Sequence, residues 1–563
     1  MIDGVLKPGR YIGNEWNAVG KEWDSVSLRI ALCFPDIYEI GMSHLGMRII
    51  YGVLNNEKDI LCERVFAPWK DMEQKLRATG SSLQSLESKK AFKEFDIIGF
   101  SLQYEMSYTD VLNMLDLGRV PLWSKDRGDD DPIVIAGGPC AFNPEPMADF
   151  IDAFFIGEAE DAILEMARTA QGFPRLGSAS LTTSRSGQAR FKAQGGRDRI
   201  LKEISKIEGV YVPAFSLSAY GETSPAASGG HPSAFSVKKR IVKDLDNAYF
   251  PTSPIVPYIQ IVHDRIAIEI MRGCPHQCKF CQACRIFHPL RPRSVNRILE
   301  IAEEAIKNTG YEEMSLLSLS TGDYPYIEEL AGKLEERFKG KGVKVSLPSL
   351  RVKSFDSHEG KAVVKRAGLT FAPEAGSERL RYLLDKKITN EEIIQRSRLA
   401  LDSGWKKVKL YFMIGLPDET DVDLDAIIDL ASQIKSVSMS ISSFIPKPHS
   451  GFERKGMVDM EEFEQKKEYL RSRLRALGSR RYIKVDFHDI RMSRVEAIFS
   501  RGDRRLNSVI YLAWQKGARL QSWKDHFDYS LWDKCFEECG IQPGDYLKSI
   551  DIKDALSWSF IKT

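Results

Sequence analysis

Long apolar runs are missing from this chain: nothing approaches the ~20 consecutive residues that a membrane-spanning helix needs. The opening MIDGVLKPGRYIG has no hydrophobic signal-peptide region, so a cytoplasmic protein with no membrane partner is expected. An excess of one charge is also lacking. Eighty Lys and Arg oppose 78 Asp and Glu, and a net charge of +2 offers no global reason to expect nucleic acid or a lipid surface. Cysteine is sparse, with nine in 563 residues, yet four fall between Cys274 and Cys284. In a reducing compartment that clustering argues for metal rather than a disulfide framework.

What is present describes an ordinary globular chain, 43% hydrophobic and 28% charged, long enough for two to four domains. In the first part, the short apolar segments LRIALCF, FDIIGFSL, PIVIAGGP and IDAFFIG alternate with helical patterns and carry glycine at their ends. This predicts an α/β fold with a doubly wound parallel sheet over residues 1–170, its ligand cleft at the strand ends near Ser101, Gly137, Gly138 and Gly157. Residues 171–255 turn Ser-, Gly- and Pro-rich and read as a connection and linker. A second βα series runs from RIAIEIMR through EMSLLSLS, VKVSLPSLRV, GLTFAPEA and KKVKLYFMIG to SVSMSISSFIP, which suits a partial (βα)6 barrel over 256–455. Residues 456–563 read as a basic, mainly helical segment ending in a Trp-rich cap.

The stretch RGCPHQCKFCQACRIF decides the chemistry. No second ligand pair follows at zinc-site spacing, and C-x3-C-x2-C-x2-C is not the pattern of a closed ferredoxin cluster. The first three, Cys274, Cys278 and Cys281, leave the first barrel strand as C-x3-C-x-aromatic-C and can hold three irons of a cubane, with the fourth open. In this motif and placement the chain resembles the radical SAM superfamily. The resemblance implies a [4Fe-4S] cluster on Cys274, Cys278 and Cys281 that cleaves S-adenosylmethionine to a 5′-deoxyadenosyl radical, with Phe280 against the adenine. It further implies that Thr321, Gly322 and Asp323 (in SLSTGD) meet the methionine amino group and that Glu374 and Ser377 (in APEAGSERL) lie near the ribose. Gly415 and Pro417 (in IGLPDET) would shape the adenine pocket, Arg351 would pair with a carboxylate, and Glu419 would serve as a helix cap. Cys284 is left as a spare thiol.

FPDIYEIGMSHLG, AGGPCAFNPEPMADFIDAFFIGEAE, ACRIFHPLRPRS and RGDRRLNSVIYLAWQKGARLQSW extend the resemblance to a bacterial family with a B12-binding-type domain ahead of the barrel. It implies a corrinoid cleft at Ser101, Gly137 and Gly138 and cobalamin as a further cofactor. The D-x-H-x-x-G ligand motif is absent, because Met42 and Met47 occupy its Asp and Gly positions around His44. His44 is expected to cap or pack at a helix start. The function expected is cobalamin-dependent methyl transfer to an unactivated carbon, fed by an external electron donor such as flavodoxin or ferredoxin. One alternative is a methylthiotransferase-like enzyme with an auxiliary cluster on Cys33, Cys62 and Cys140. Another is an RNA-associated protein using the thirteen Lys and Arg between Lys466 and Arg505.

Overall fold

The protein is described by a computed structural model covering residues 2–172, 196–218, 235–346, 369–477 and 483–563. Its first sheet contains β1 (Leu28–Phe34), β2 (Ile60–Phe66), β3 (Ile97–Ser101), β4 (Ile133–Gly137), β5 (Ala153–Phe155) and β6 (Val210–Tyr211). The order is β2-β1-β3-β4-β5-β6, parallel throughout except for the antiparallel β5–β6 pair. The strand order reverses between β1 and β3, which is where a doubly wound sheet opens a crevice at its carboxyl ends.

The apolar run of β1, broken only by Arg29, follows from burial on both faces. Leu28, Ile30, Leu32 and Phe34 enter one core, together with Met47 and Leu54 of the helix Leu45–Asn55. Ala31 and Cys33 enter the other, which also holds Val111 and Leu115 of the helix Tyr108–Leu117 and Val509 and Ile510 of the helix Leu506–Gln515. The Trp-rich C-terminal segment therefore packs on this sheet's helical layer. Trp523 Nε1 donates to Asp36 just after β1 at 2.9 Å, and Trp532 is fully buried.

After β7 (Val237–Lys238) the barrel region begins with β8 (Ile266–Glu269). A two-stranded ribbon of β9 (Met271–Arg272) and β10 (Arg291–Pro292) brackets the cysteine loop. β11 (Glu313–Leu317) and β12 (Lys344–Ser346) complete a parallel sheet β12-β11-β8. β13 (Leu369–Glu374), β14 (Val408–Ile414), β15 (Val437–Ser443) and β16 (Lys484–Phe487) form a second parallel sheet in that order. The connecting helices show why they form. Val295–Thr309 is capped by Ser294, ends at left-handed Gly310, and buries Ile298, Ile301, Ala302 and Ala305 at helical spacing. Asn390–Asp402 starts from a reciprocal Thr389–Glu392 capping box.

Two strands lie where helix alone was expected. β16 extends the barrel sheet, and β17 (Ile561–Lys562) pairs in parallel with β7. Each is short and mixed in polarity, so neither shows the apolar run by which the other barrel strands announce themselves.

Candidate active site

The cysteine loop runs between β9 and β10. Gly273, at φ +89°, opens it, and a Cβ there would lie within 3.0 Å of backbone atoms of Phe287, Pro289 and Leu290, so only glycine fits. Cys274, Cys278 and Cys281 are half-buried, whereas Cys284 is buried in the short helix Ala283–Ile286. The Cys284 thiol donates to the Cys281 carbonyl at 3.0 Å, and the carbonyl of Cys278 lies 3.7 Å from it. The neighbouring Cys284 holds the Cys281 thiol below its ordinary range. Among the described residues no three His, Cys, Asp or Glu side chains converge on a single ion. Three thiols spread along one half-open loop instead fit a cluster that takes each thiolate on a different iron, with Cys284 engaged as a donor beside them.

Other elements hold this loop in place. The buried Lys239 ammonium donates to the carbonyls of Arg285 (2.7 Å) and Ile286 (3.3 Å) at the end of this short helix. Burial pulls that lysine down to about 8. Lys279 N–H bonds the Leu384 carbonyl at 2.9 Å, and Phe452 N–H bonds the Lys279 carbonyl at 2.8 Å. His276 Nε2 lies 2.9 Å from Asp323 Oδ2, tying the loop to the turn Thr321–Asp323 after β11. Asp323, expected from the sequence to face a methionine amine, also accepts from Ser320 through the same oxygen.

Phe280 packs against the apolar cluster Ala375, Leu384, Leu416, Phe444 and Phe452. The Lys386 ammonium stands 5.9 Å from its ring centroid and 2.7 Å from Glu374 Oε1. Phe280, Glu374 and the segment following Gly415 therefore come together at one end of the barrel. Glu374 sits at a register shift with φ 72°, a conformation that non-glycine residues rarely hold. Ser377 caps the helix Glu378–Leu383 and donates to Asp423. Gly415 has φ +77°, and a Cβ there would meet Val458 at 2.5 Å. Glu419 caps no helix; it accepts from Gly415 N–H (2.8 Å) and Lys466 (3.0 Å), while Thr420 forms the cap. Thr321 is buried and Gly322 and Pro417 half-buried at their strand ends. Arg351 lies outside the described residues.

Beyond this pocket, a cavity of about 340 Å³ opens at the strand ends of the first sheet. Ser101, Gly137, Gly138 and His44 line it from that sheet, and Glu269, Arg272, Ile286 and Phe287 from the barrel. Gly138 (φ +108°) could carry no side chain, since its Cβ would sit 2.5 Å from the Leu102 carbonyl oxygen. His44 caps the helix Leu45–Asn55, accepting the Met47 N–H on Nδ1 at 3.3 Å, and burial lowers it to about 4. Arg272 reaches Glu158 (3.0 Å), Glu160 (2.7 Å) and Glu269 (2.8 Å), and Glu158 also receives Arg291 at 2.6 Å. The cavity and the cysteine loop thus share a wall of buried charge.

Residues 46–213 match the model for radical SAM proteins, N-terminal, and residues 268–431 match the radical SAM superfamily. A relative, uncharacterized protein MJ0966 of Methanocaldococcus jannaschii, is 30% identical over 86% of this chain and 91% of its own length. The chain belongs to the radical SAM superfamily. A tRNA-2-methylthio-N(6)-dimethylallyladenosine synthase of Pelagibacter ubique is 24% identical over 37% of this chain and 49% of its own. In fold, the chain is similar to the radical S-adenosylmethionine methyltransferase TsrM of Kitasatospora setae, solved with cobalamin and a [4Fe-4S] cluster. The TM-score is 0.50 at 12% identity, covering 76% of this chain and 77% of that one.

In this radical SAM protein, Cys33, Cys62 and Cys140 are each buried and their thiols are pushed up by desolvation. They lie in the apolar cores, and no ligand group among the described residues includes them. Part of the basic run from Lys466 is paired with carboxylates among the described residues. Lys466 pairs with Glu419, Lys467 with Glu464, Arg473 with Asp425, Arg475 with Glu468 and Arg505 with Asp503. Among the described helices none is long and apolar enough to cross a membrane.

Proposed function

We propose that this protein is a cobalamin-dependent radical SAM enzyme that transfers a methyl group to an unactivated carbon. The observation that carries this reading is the shared cavity. One wall consists of the strand ends Ser101, Gly137 and Gly138, and the other belongs to the loop bearing Cys274, Cys278 and Cys281. When bound, the cluster with S-adenosylmethionine supplies a hydrogen-abstracting radical, and cobalamin supplies the methyl group.

The chain's own residues bind, orient and exclude water. Cys274, Cys278 and Cys281 hold the cluster, while the Cys284 thiol stays a hydrogen-bond donor. Phe280 offers an aromatic face to the adenine, and Gly415 makes the positive-φ turn that lets Val458 close on the end of β14 beside it. Glu374, fixed by Lys386, faces the ribose, with Ser377 beside it. Thr321, Gly322 and Pro417 complete the pocket at their strand ends. Gly137 and Gly138 let a flat macrocycle lie against the sheet. His44 accepts its own helix's Met47 N–H on Nδ1 and its ring also hydrogen-bonds Gln103, so cobalamin would be held without this imidazole on the metal. The cluster needs a one-electron donor such as flavodoxin or ferredoxin.

Anaerobic purification from cobalamin-supplied cells, followed by iron and corrinoid determination, tests this reading. About four irons and one cobalamin per chain support it. About eight irons without cobalamin would favour the methylthiotransferase reading, and loss of cobalamin with four irons would remove the methyl-transfer assignment.

A further inference from the structure

The interior of the barrel carries a second kind of information. Along β14, Val408, Leu410, Phe412 and Ile414 are buried outward in the core. Alternation then sends Lys409, Tyr411 and Met413 to the inner face. Lys409 registers with Ser438, and Ser438 with Lys484 on β16; one row further on, Tyr411 registers with Ser440, and Ser440 with Asp486. Register partners share a face, so two inward rows read Lys–Ser–Lys and Tyr–Ser–Asp.

Barrel interiors are ordinarily filled by Val, Ile and Leu. Six polar side chains in their place forgo that packing; Tyr411, Lys484 and Asp486 are exposed and Lys409 half-buried, with Ser438 and Ser440 buried between them, so this face is open to water or a polar ligand. The Lys409 ammonium has the Tyr411 hydroxyl at 3.3 Å and lies 4.7 Å from the Tyr411 ring centroid. Among the described residues neither Lys409 nor Lys484 has a carboxylate within ion-pair distance, whereas Lys466 and Lys467 nearby are both paired. Two strand spacings place their Cα atoms roughly 10 Å apart, with the Ser438 hydroxyl between them. Two flexible ammonium groups can close on one anion across that gap. Asp486 and Ser440, which lies 3.2 Å from His488 Nε2, offer acceptors to a hydroxyl or amine one row nearer the strand ends.

We infer that the substrate is an anionic, hydrogen-bonding molecule, bound through a phosphate or carboxylate held between Lys409 and Lys484, with a donor group against Asp486. This rests on the reading above for one element only, that the reacting carbon points to the strand ends where Glu374 and Gly415 meet.

Competitive amine labelling of the full-length protein with acetic anhydride, read residue by residue by mass spectrometry, tests the site. Inorganic phosphate and succinate are the probes, and exposed Lys553 is the control. Labelling of Lys409 and Lys484 is expected to slow together, roughly tenfold when nine sites in ten are filled, with Lys553 unchanged. Phosphate protection alone identifies a phosphate-bearing substrate, and succinate protection alone a carboxylate-bearing one. Lys484→Gln should abolish protection at Lys409, a coupling that two independent solvated lysines would not show. Independent protection of the two lysines, or equal protection of Lys553, overturns the inference. Protection in a protein that never binds iron would leave it standing and remove the proposed methyl-transfer function instead; full iron content without protection does the reverse.

Discussion

Replacing Arg272 by Met keeps the length of the side chain and removes the charge at the wall between the cysteine loop and the cavity. Arg272 is only 10% exposed, and its partners Glu158, Glu160 and Glu269 are 5%, 9% and 17% exposed. Glu158 would retain Arg291, but Glu269 would keep only Arg293 at 4.0 Å, and Glu160 no ion pair among the described residues. Breaking one partner out of a buried network costs about 3–5 kcal/mol because a charge is left uncompensated. Taken as local stability of the Cys274–Leu290 loop, the lower bound means roughly hundredfold faster opening. Hydrogen-exchange mass spectrometry on loop peptides measures it directly. The sign of the pH dependence follows from Glu158: although burial alone would raise it, Arg291 and Arg272 hold it below its ordinary 4.5. Its stabilising contribution is therefore present above pH 4.5 and is lost as pH falls through the lowered value. The Arg272→Met penalty should accordingly be full at pH 7 and shrink below about pH 4.5. A change under about 1 kcal/mol at pH 7, the worth of an exposed ion pair, would refute the reasoning.

Other outcomes are equally specific. Ala at Cys274, Cys278 or Cys281 should abolish reductive cleavage of S-adenosylmethionine, while Cys284→Ala retains iron; iron lost from Cys284→Ala but kept in Cys274→Ala would reverse the ligand assignment. Glu374→Ala and Gly415→Val should weaken S-adenosylmethionine binding by titration calorimetry with iron content unchanged, since each alters the pocket and neither is a ligand. Gly138→Val should prevent corrinoid binding, measured by equilibrium dialysis, because its Cβ would sit 2.5 Å from the Leu102 carbonyl oxygen. His44→Ala should cost about 1 kcal/mol of helix capping and leave the electron paramagnetic resonance of bound Co(II) without any loss of nitrogen splitting.

Motifs confined to one strand and its following turn were legible in the sequence. The cysteine spacing and the Gly137-Gly138 pair both arise from neighbours along the chain. Groups assembled by the fold were not. Arg272, Glu158 and Glu160 meet across more than a hundred residues, and no local periodicity relates them. His276 stands inside the cysteine motif, but its partner Asp323 lies 47 residues further along, so spacing does not reveal the pair. Lys386 follows a helix end and becomes informative only when Phe280 and Glu374 come within its reach. The basic run was visible as composition, yet Lys466, Lys467 and Arg473 pair with Glu419, Glu464 and Asp425, which composition over that window does not show.

The pairing of β17 with β7 sets a timetable. Ile561 hydrogen-bonds in register with Val237, and just beyond β7 Arg240 bridges to Gly157 at the cavity's edge. During synthesis, β7 waits for its partner while the barrel and the segment after it are translated, a delay on the order of tens of seconds at ~5–20 residues per second. Until then the segment leading from the first sheet into the cysteine loop has an open edge, the kind of surface that invites wrong pairing. Maturation of the cysteine loop is thereby placed after the synthesis of β17. A pulse of cobalamin or iron given once translation has stopped should load the protein as fully as supply throughout growth.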